Sequence, residues 1–460
     1  MHLPIEFIER TKSLLNKEWD SFVESLNDTP PTSIRLNSTK AQNFVLDSDS
    51  VLWCRNGYYL DQRPQFTFDP LFHAGCYYVQ EASSMFIEQA LEQYVDKDAC
   101  FLDLCAAPGG KSTLIADWLS GKGLLVSNEV IKSRANILAE NITKCGYSNV
   151  IVTSNDPAQI GEVKHFFDAI LVDAPCSGEG MFRKDTRAIE EWSVANVQLC
   201  KERQQRILAD VWNALKPGGF LLYSTCTYNR EENEENVQWI TENLGADILS
   251  IDINKEWGIA PSYTDTLSAY HFFPHKTKGE GFFFALLRKH ENEECRTISK
   301  PRDKNGRKNT KQIVSDDIKN YLRNEDNFIY SLENDVVSAF PDCLKNELAI
   351  ITANLNIVYS GVCIGTQKGK DFIPDQSLAL SNDFNKDMFP VAELDWKTAI
   401  SYLKKEVLDL SEMPRGYILL VYRDIPLGFV KNIGNRANNL YPQEWRIRSN
   451  NIPVDEVQIL

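Results

Sequence analysis

The chain has 460 residues, of which 43% are hydrophobic, 25% charged and 11% aromatic, a composition typical of roughly two to four globular domains with a sizeable buried core. The formal net charge of −15 argues against non-specific binding of nucleic acid over the whole surface, although a local basic patch remains compatible with it. The sequence contains no apolar run long enough to span a bilayer and no basic N-terminal segment followed by an apolar one, so we expect neither a membrane span nor a signal peptide.

The cysteines are eleven in number and scattered, and none forms a Cys-x-x-Cys pair. Histidine is rare, with six residues in the chain. This pattern predicts reduced thiols in a cytoplasmic protein and no metal site.

Residues 1–94 predict a small α+β lobe. A helical pattern over 4–27 ends before Pro30-Pro31, because the residue before proline disfavours helix. Strands are expected at 33–37 and, as a pair around the turn Asn56-Gly57, within 51–60. A second helix is expected from Gln80 to about residue 94.

Residues 95–290 alternate short apolar runs with amphipathic helical patterns. Repeated strand–helix units predict an α/β domain with a doubly wound, largely parallel sheet. The predicted strands cover 99–104, 123–128, 149–153, 167–172, 220–224 and 281–287. Ligands of such sheets bind beyond the carboxyl ends of the strands.

The C-terminal third is predicted to hold a basic linker over 291–312, a small α+β domain over 313–375 and a β-rich domain over 376–460. The linker is either a solvated hinge or a contact to phosphate, and its basic residues are Arg296, Lys300, Arg302, Lys304, Arg307, Lys308 and Lys311. In the last region basic residues are interleaved with aromatic ones, a mixture typical of RNA binding. These residues are Arg415, Arg423, Lys431, Arg436, Tyr441, Trp445, Arg446 and Arg448.

The turn at 103–113 is the first candidate site. It joins an apolar strand to a helical pattern, so its glycines and the free N–H groups of the helix start can cradle a ligand. It has neither the Gly-x-Gly-x-x-Gly fingerprint nor the full P-loop spacing, which argues against dinucleotides and nucleoside triphosphates. Its candidate binding residues are Cys105, Ala106, Ala107, Pro108, Gly109, Gly110 and Lys111.

Two acidic residues follow the next strands. Glu129 closes the second strand, where an acid typically holds the ribose hydroxyls, and Asp156 follows the third, where it could accept from an adenine amino group. Either acid alone could equally be a helix N-cap, Asp156 before Pro157 especially. A nucleoside site without phosphates indicates S-adenosylmethionine as the cofactor.

Two cysteines stand after the next two predicted strands. Cys176 lies in Asp173-Ala174-Pro175-Cys176, where enzymes that methylate amino groups usually carry Asp/Asn-Pro-Pro-aromatic, and Cys226 follows the strand at 220–224. A thiolate that adds to C6 of cytosine activates C5 for methylation, and an acid such as Asp173 can protonate N3. The residues alone do not decide which thiol attacks. Lys111 is expected to place a charge beside Asp173.

Three long segments carry a family resemblance: 103–113, 173–185 and 224–235. In this order they resemble the Nop2/Sun family of RNA 5-methylcytosine methyltransferases, and most closely its bacterial RsmF type, which modifies small-subunit rRNA. Residues 434–442 resemble the PUA-like RNA-binding tail of that type.

The resemblance implies a class I, Rossmann-like methyltransferase core with an N-terminal RNA-recognition lobe and a PUA-like tail. It implies that 105–111 surround the methionine part of the cofactor, that Glu129 binds ribose and Asp156 adenine, and that Asp173 lies beside cofactor and target base. It also implies that Cys226 is the nucleophile and that Cys176 assists product release.

Two other functions are considered beside rRNA methylation: a tRNA cytosine methyltransferase of the same family, and a ribosome-assembly factor without catalysis. We expect a monomer that binds rRNA. His271 and His275 either approach the substrate or are structural, and the acidic residues of 231–235 are interpreted as structural, with Asn229 and Glu232 in a capping-box pattern.

Overall fold

The computed structural model describes residues 1–264, 267–291, 314–369 and 371–460. The predicted basic linker lies outside the described residues from 292 onward. Among the helices that are described, none combines the length and the apolar character needed to cross a membrane.

The N-terminal lobe contains four helices and a small antiparallel sheet in the order β2-β1-β3. The predicted helix over 4–27 is two helices separated by a single tight turn. The elements are α1 (Ile5–Leu15), α2 (Trp19–Ser25), β1 (Thr32–Leu36), β2 (Gly57–Leu60), α3 (Pro70–His73), β3 (Tyr77–Val79) and α4 (Ile87–Tyr94).

One expectation for this lobe is wrong, and two short elements were not predicted. Within 51–60 only β2 is a strand, because Val51 and Trp53 are buried in a turn that packs on the catalytic domain rather than in a ladder. The short elements α3 and β3 were not predicted, since four and three residues are too few to show a periodic pattern.

The catalytic domain contains the following elements: β4 (Cys100–Asp103), α5 (Gly110–Leu119), β5 (Leu124–Asn128), α6 (Lys132–Cys145), β6 (Val150–Thr153), α7 (Pro157–Gly161), β7 (Phe167–Asp173), α8 (Thr186–Glu191), α9 (Val194–Val211), β8 (Leu215–Thr225), α10 (Glu234–Ile240), β9 (Ala246–Leu249), β10 (Ala260–Pro261), β11 (Ala269–Phe272) and β12 (Phe282–Lys289).

Five strands at the centre of this sheet, in the order β8-β7-β4-β5-β6, run parallel. β5 and β6 are buried along their whole length, as expected of strands covered by helices on both faces. Two large apolar clusters lie on the two faces of the sheet. The parallel order brings the residues that follow these strands to one edge.

The C-terminal region adds α11 (Asp316–Lys319), β13 (Phe328–Glu333), β14 (Val336–Pro341), α12 (Lys345–Asn354), β15 (Ile357–Ser360), β16 (Val362–Lys368), β17 (Asp371–Pro374), α13 (Gln376–Leu380), β18 (Val391–Glu393), α14 (Trp396–Leu403), β19 (Gly416–Tyr422), β20 (Ile425–Asn432) and β21 (Ala437–Asn439). Two four-stranded sheets, β13-β14-β16-β17 and β18-β19-β20-β21, make up most of it.

The region predicted as a separate small domain over 313–375 contributes to the catalytic sheet. Strand β15 pairs antiparallel with β6, with Ile357 opposite Thr153, and so extends the large sheet at that edge. The whole ten-stranded sheet follows the order β10-β11-β12-β8-β7-β4-β5-β6-β15, with β9 also paired to β12.

The N-terminal lobe packs against both other parts of the molecule. Its sheet and α3 share an apolar cluster with α14, β19 and β20, where the Trp396 Nε1 donates to the Phe68 carbonyl at 2.8 Å. Helices α1 and α2 pack on the catalytic domain through Phe7, Phe22 and Tyr228. These contacts fix the lobe beside the edge where the predicted site residues lie.

Candidate active site

The residues predicted for the site gather at the carboxyl edge of the five parallel strands. Cys105–Lys111 follow β4, Glu129 follows β5, Asp156 follows β6, Asp173 ends β7 and Cys176 lies just beyond it, and Cys226 follows β8.

The turn after β4 is built around Gly109. Its φ of 120° lies in the region that favours glycine, and it precedes α5 without a capping side chain. The first-turn N–H groups of α5 therefore have no side-chain cap and can bind an anionic group. Ser112 Oγ donates to Asp103 Oδ2 at 2.6 Å, which ties the helix start to the end of β4.

Asp103 is the most deeply buried acid of the cradle. Its Oδ1 has no hydrogen-bond partner in the protein. Burial raises the pKa of Asp103 to about 7, helped by the charges of Asp173 and Glu129 and opposed by Ser112 and Lys111. An unpartnered buried oxygen in a ligand cradle is a position where a ligand donor fits.

Glu129 is held at the end of β5 by two partners. Its Oε1 accepts from the Ile131 N–H at 3.0 Å, and its Oε2 lies 3.2 Å from Arg134 Nη1. Arg134 also donates to the Ala107 carbonyl at 2.9 Å, so it joins the acid to the glycine turn. Arg134 was not singled out in the sequence, where it looks like one more exposed residue of α6.

Asn128, the last residue of β5, ties three strand ends together. Its side chain donates to the carbonyls of Leu104 and Asn155 and accepts from Thr153 and the Asn155 N–H, at 2.9 to 3.2 Å. A buried amide with all of these partners makes the floor of the site rigid.

Asp156 is a helix N-cap. Its Oδ1 accepts from the Ala158 N–H at 3.1 Å and Gln159 completes a capping box, so the structural alternative holds for this residue. The side chain is exposed beside Asn155 at the edge of the cradle, so its predicted contact to adenine stays a prediction.

The donor set fits S-adenosylmethionine. The α5 N-terminus suits a carboxylate, the carboxylate of Glu129 suits two ribose hydroxyls, and Asp103 at the end of β4 offers an unpartnered oxygen. No phosphate-binding loop accompanies these groups in the described ranges, which matches a nucleoside cofactor better than a nucleotide. In the same ranges no cluster of three or more His, Cys, Asp or Glu side chains is arranged to hold a metal ion.

Lys111 and Asp173 form an ion pair at the centre of the edge. Lys111 Nζ lies 2.7 Å from Asp173 Oδ2, and Ser224 Oγ donates to Asp173 Oδ1 at 2.7 Å. Burial by itself lowers the pKa of Lys111, but Asp173 and Asp103 outweigh it and raise that pKa above its usual value. The ammonium also lies over the Phe282 ring, 5.4 Å from its centroid.

The two cysteines touch. Cys176 Sγ and Cys226 Sγ are 2.8 Å apart, and the Cys226 N–H donates to Cys176 Sγ at 3.3 Å. The contact with Cys226, burial and the charge of Glu232 together raise the pKa of the Cys176 thiol well above its usual value. Both thiols are free and partly accessible.

The loops that carry the cysteines are held by two buried carboxylates, Glu179 and Glu232, of which Glu179 was not singled out in the sequence. Asn229 and Glu232, the two residues of the predicted capping box, are in contact: Asn229 Nδ2 donates to Glu232 Oε1 at 2.8 Å. It does not start a helix, because α10 begins only at Glu234. The other acids are paired: Glu231 with Arg10, Glu234 with His271 and Glu235 with Lys201.

A hairpin formed by β11 and β12 closes on the Cys226 loop at two glycines. A Cβ on Gly281 would lie 2.6 Å from Gly180 Cα, and one on Gly180 would lie 2.9 Å from the Cys226 carbonyl oxygen. The Gly180 N–H donates to that same oxygen at 2.9 Å. Only glycine at both positions allows this approach.

The two histidines of the hairpin region each lie beside a glutamate. His271 is fully buried and its Nε2 lies 2.8 Å from Glu234 Oε1, which favours the structural interpretation. His275 Nε2 lies 3.6 Å from Glu18 of the N-terminal lobe, and burial lowers its pKa.

A groove of about 1120 Å³ runs between the N-terminal lobe and the catalytic domain beside this hairpin. Its lining includes Arg63, Arg183, Lys184 and Lys278. Arg183 is held by Glu280, and Lys278 reaches the exposed Asp49. The groove therefore presents basic groups between the N-terminal lobe and the catalytic domain, of which Arg183 and Lys184 are both paired with Glu280.

Three family models match the chain. They are described as 16S rRNA methyltransferase RsmB/F over residues 89–288, the N-terminal domain of 16S rRNA methyltransferase RsmF over 3–82, and the methyltransferase RsmF PUA domain over 389–447.

Similar proteins span the whole chain or its catalytic part. Ribosomal RNA small subunit methyltransferase F of Aeromonas salmonicida (strain A449) is 32% identical over 98% of both chains. A solved methyltransferase homolog from Pyrococcus horikoshii is 30% identical, with a TM-score of 0.54 over 61% of this chain and 93% of that one. NSun6 of Pyrococcus horikoshii, solved with SFG, is 22% identical with a TM-score of 0.53 over 62% and 98%, and supports the fold.

Proposed function

This chain belongs to the RsmF type of the Nop2/Sun family, and from that premise we propose that it transfers a methyl group from S-adenosylmethionine to C5 of a cytidine in small-subunit rRNA, through a covalent bond between Cys226 and C6. We further propose that it works in the cytoplasm as a monomer. The observation that carries the proposal is the contact of two thiols, 2.8 Å apart, beside a nucleoside cradle.

The residues of the site have separate roles in the proposed reaction. The cofactor supplies an electrophilic methyl group when it is bound between Cys105–Lys111, Glu129 and Asp156. The Cys226 thiolate would add to C6, which gives C5 the electron pair that attacks the methyl carbon and releases S-adenosylhomocysteine. A base then removes the C5 proton, and the electrons of that bond expel Cys226 as a thiolate.

Asp173 assists the addition by passing a proton to N3 of the base. Its carboxylate is paired with Lys111 at 2.7 Å, so the proton can come from the Lys111 ammonium by way of Asp173. The protonated N3 accepts the electrons that the thiolate pushes into the ring, which lowers the barrier to addition. N3 returns this proton to Asp173 when the thiolate leaves.

The raised pKa of Cys176 supports the division of roles between the thiols. Two thiols in contact do not both ionise, since the second charge would repel the first. Cys176 is held as a neutral thiol by Cys226, by burial and by the charge of Glu232. A neutral thiol is a poor nucleophile but can act in product release, which leaves attack on C6 to Cys226.

The experiment that tests the proposal measures transfer of labelled methyl to rRNA together with covalent adducts on a denaturing gel. Cys226→Ala should abolish transfer while calorimetry shows unchanged cofactor binding, and Cys176→Ala should accumulate a protein–RNA adduct. Full activity of Cys226→Ala would contradict the proposal. An adduct that appears only with Cys226→Ala would reverse the two roles.

The choice of RNA is tested by offering purified tRNA and small-subunit rRNA separately. Methyl transfer to rRNA alone supports the proposal, and transfer to tRNA alone would favour the tRNA enzyme of the same family. Absence of transfer to either, with RNA still bound, would favour a ribosome-assembly factor.

A further inference from the structure

Two buried carboxylates connect the cysteine loops crosswise. Glu179 follows Cys176 by three residues, yet its hydrogen bonds hold the loop of Cys226. Glu232 follows Cys226 by six residues, yet it holds the backbone beside Cys176. Each thiol is therefore positioned by an acid that belongs to the loop of the other.

Glu179 Oε2 receives three bonds from the Cys226 loop. The donors are Thr227 Oγ1 at 2.7 Å and the N–H groups of Tyr228 at 2.9 Å and Asn229 at 3.0 Å. The second oxygen, Oε1, accepts from Trp192 Nε1 at 2.9 Å. The backbone immediately after Cys226 thus converges on one carboxylate oxygen.

Glu232 is bonded in the opposite direction. Its Oε2 accepts from the Ser177 N–H, next to Cys176, at 3.0 Å and from Gln204 Nε2 at 2.7 Å. Gln204 also donates to the Pro175 carbonyl, on the other side of Cys176, at 3.1 Å. Oε1 accepts from Asn229 Nδ2 at 2.8 Å.

Neither carboxylate has an ion-pair partner within the described residues, and their exposed fractions are 1% for Glu179 and 0% for Glu232. Buried acids without a cation depend entirely on hydrogen-bond donors, so any movement of the loops would leave an oxygen unsatisfied. Burying two carboxylates costs free energy, but their hydrogen bonds fix the two loops against each other.

We propose that Glu179 and Glu232 are positioning residues that act crosswise, with Glu179 placing Cys226 for attack on C6 and Glu232 placing Cys176 for release of the product. The inference rests on the roles assigned to the thiols under the proposed function. Neither acid is placed to touch the substrate.

The crosswise arrangement predicts opposite effects of two similar substitutions. Glutamine has one acceptor oxygen where glutamate has two, so in either position it must present its NH2 to a group that already donates. Glu179→Gln should displace Cys226 and slow attack, which lowers the amount of covalent adduct. Glu232→Gln should displace Cys176 and slow release, which raises it.

The expected loss in kcat is about 10- to 100-fold for each variant, because a misplacement of about 1 Å at a reacting group has effects of this size. KM for rRNA should change little, since neither acid lines the groove. A defect in folding would instead lower the fraction of active protein and the binding of cofactor, and would leave kcat per bound cofactor unchanged.

Glu232 also predicts a pH dependence. Burial raises its pKa to about 7, with the hydrogen bonds of Ser177 and Asn229 opposing and the charge of Glu179 adding. The other titratable groups that interact with it are Tyr223, Cys176 and Cys200. Below about pH 7 its proton removes an acceptor, so adduct should accumulate in the unmodified protein. In Glu232→Gln the adduct level should change less over this range, in which Asp103 also titrates.

The experiment compares the full-length protein with Glu179→Gln, Glu232→Gln and the control Glu88→Gln. Glu88 is a buried carboxylate with a raised pKa that accepts from the Cys54 thiol and the Arg55 N–H, in the N-terminal lobe. For each protein one measures methyl transfer to small-subunit rRNA, adduct on a denaturing gel and cofactor affinity by calorimetry.

Less adduct with Glu179→Gln, more with Glu232→Gln and no change in kcat with Glu88→Gln would support the proposal. The same direction of change in both variants, or the exchanged directions, would overturn it. If Glu179→Gln loses cofactor binding, Trp192→Phe is measured instead, since it removes one donor from Glu179. If Glu232→Gln loses cofactor binding, Gln204→Met is measured instead, since it removes one donor from Glu232.

Failure of the proposed function can be distinguished from failure of the crosswise positioning by the cysteine variants. It would appear as activity in Cys226→Ala or as absence of adduct in Cys176→Ala. If those two variants behave as expected and the glutamate variants do not, only the crosswise positioning is wrong.

Discussion

Strand β7 carries a lysine–aspartate pair at each end. At its carboxyl end Asp173 pairs with Lys111 at 2.7 Å, inside the site. Near its amino end Asp168 pairs with Lys216 at 2.6 Å, on the opposite edge of the sheet. The two pairs are chemically alike, so substituting the lysine of each pair distinguishes an effect on activity from an effect on stability.

Lys111→Met should lower kcat/KM for methyl transfer about 100-fold, because it removes the ammonium that pairs with Asp173, and with it the proton donor of the proposed mechanism and a charge beside the cradle. Initial rates of labelled-methyl transfer at rRNA concentrations well below KM measure it. Lys216→Met is the matched control and should retain activity within about twofold, since a pair this exposed contributes little. Equal losses in both variants would show that Lys111 acts only on stability.

At the scale of elements, the β11–β12 hairpin reaches the Cys226 loop only because two glycines meet. Gly281→Ala would place a Cβ 2.5 Å from the Tyr228 ring and 2.6 Å from Gly180 Cα, and backbone cannot yield as a flexible side chain does. We expect a loss of unfolding free energy of about 1–3 kcal/mol and less adduct, since the hairpin would displace the loop of Cys226, the nucleophile of the proposed mechanism.

Urea unfolding and the denaturing gel measure these two effects. Gly121→Ala is the control, since Gly121 has a φ of +78° but no atom within 4 Å of its Cβ position. It should cost about 1–2 kcal/mol through the left-handed conformation alone and leave the adduct unchanged.

Four of the five central strands could be predicted to within one residue because they are apolar runs bounded by turn residues, and their order along the chain placed the candidate residues at one edge. The fifth, β8, begins at Leu215, five residues before the predicted start, because Lys216-Pro217-Gly218-Gly219 looks like a turn in the sequence. Strand β15 could not be predicted to join them, since its pairing with β6 depends on contacts between distant parts of the chain. Glu179 was missed for a different reason: a glutamate in a loop is usually solvated, and only the fold shows that its four donors are buried.

At the scale of the whole molecule, His73 lies where the N-terminal lobe meets the C-terminal region. Its Nε2 lies 2.8 Å from the Thr67 carbonyl oxygen and its Nδ1 lies 3.4 Å from Tyr441 Oη. Burial, together with the charge of Lys144, lowers the pKa of His73 to about 3. The imidazole is therefore neutral in this contact.

The contact should weaken in acid. Between about pH 6.5 and 3 the unfolded chain binds a proton at His73 that the folded chain does not, so folding stability falls as the pH falls. His73→Gln removes this linkage. Between pH 7 and pH 5 the unmodified protein should therefore lose about 2 kcal/mol more unfolding free energy than His73→Gln does. Urea titrations at both pH values measure it.

His290→Gln is the control for this prediction, because that ring is exposed and lies away from the lobe contact. It should show no comparable shift. An identical shift in both variants would show that the acid sensitivity does not arise at the lobe contact.

The position of β15 has a consequence for how the protein is made. Its partner β6 leaves the ribosome about 200 residues earlier, and at roughly 5–20 residues per second the nascent chain waits on the order of 10 to 40 s for the last strand of its catalytic sheet. During that interval β6 presents an open edge of N–H and C=O groups, the kind of edge at which nascent chains associate wrongly. A chain that ended after the catalytic domain would keep this edge open permanently, so the C-terminal region also completes the sheet of the catalytic domain during synthesis.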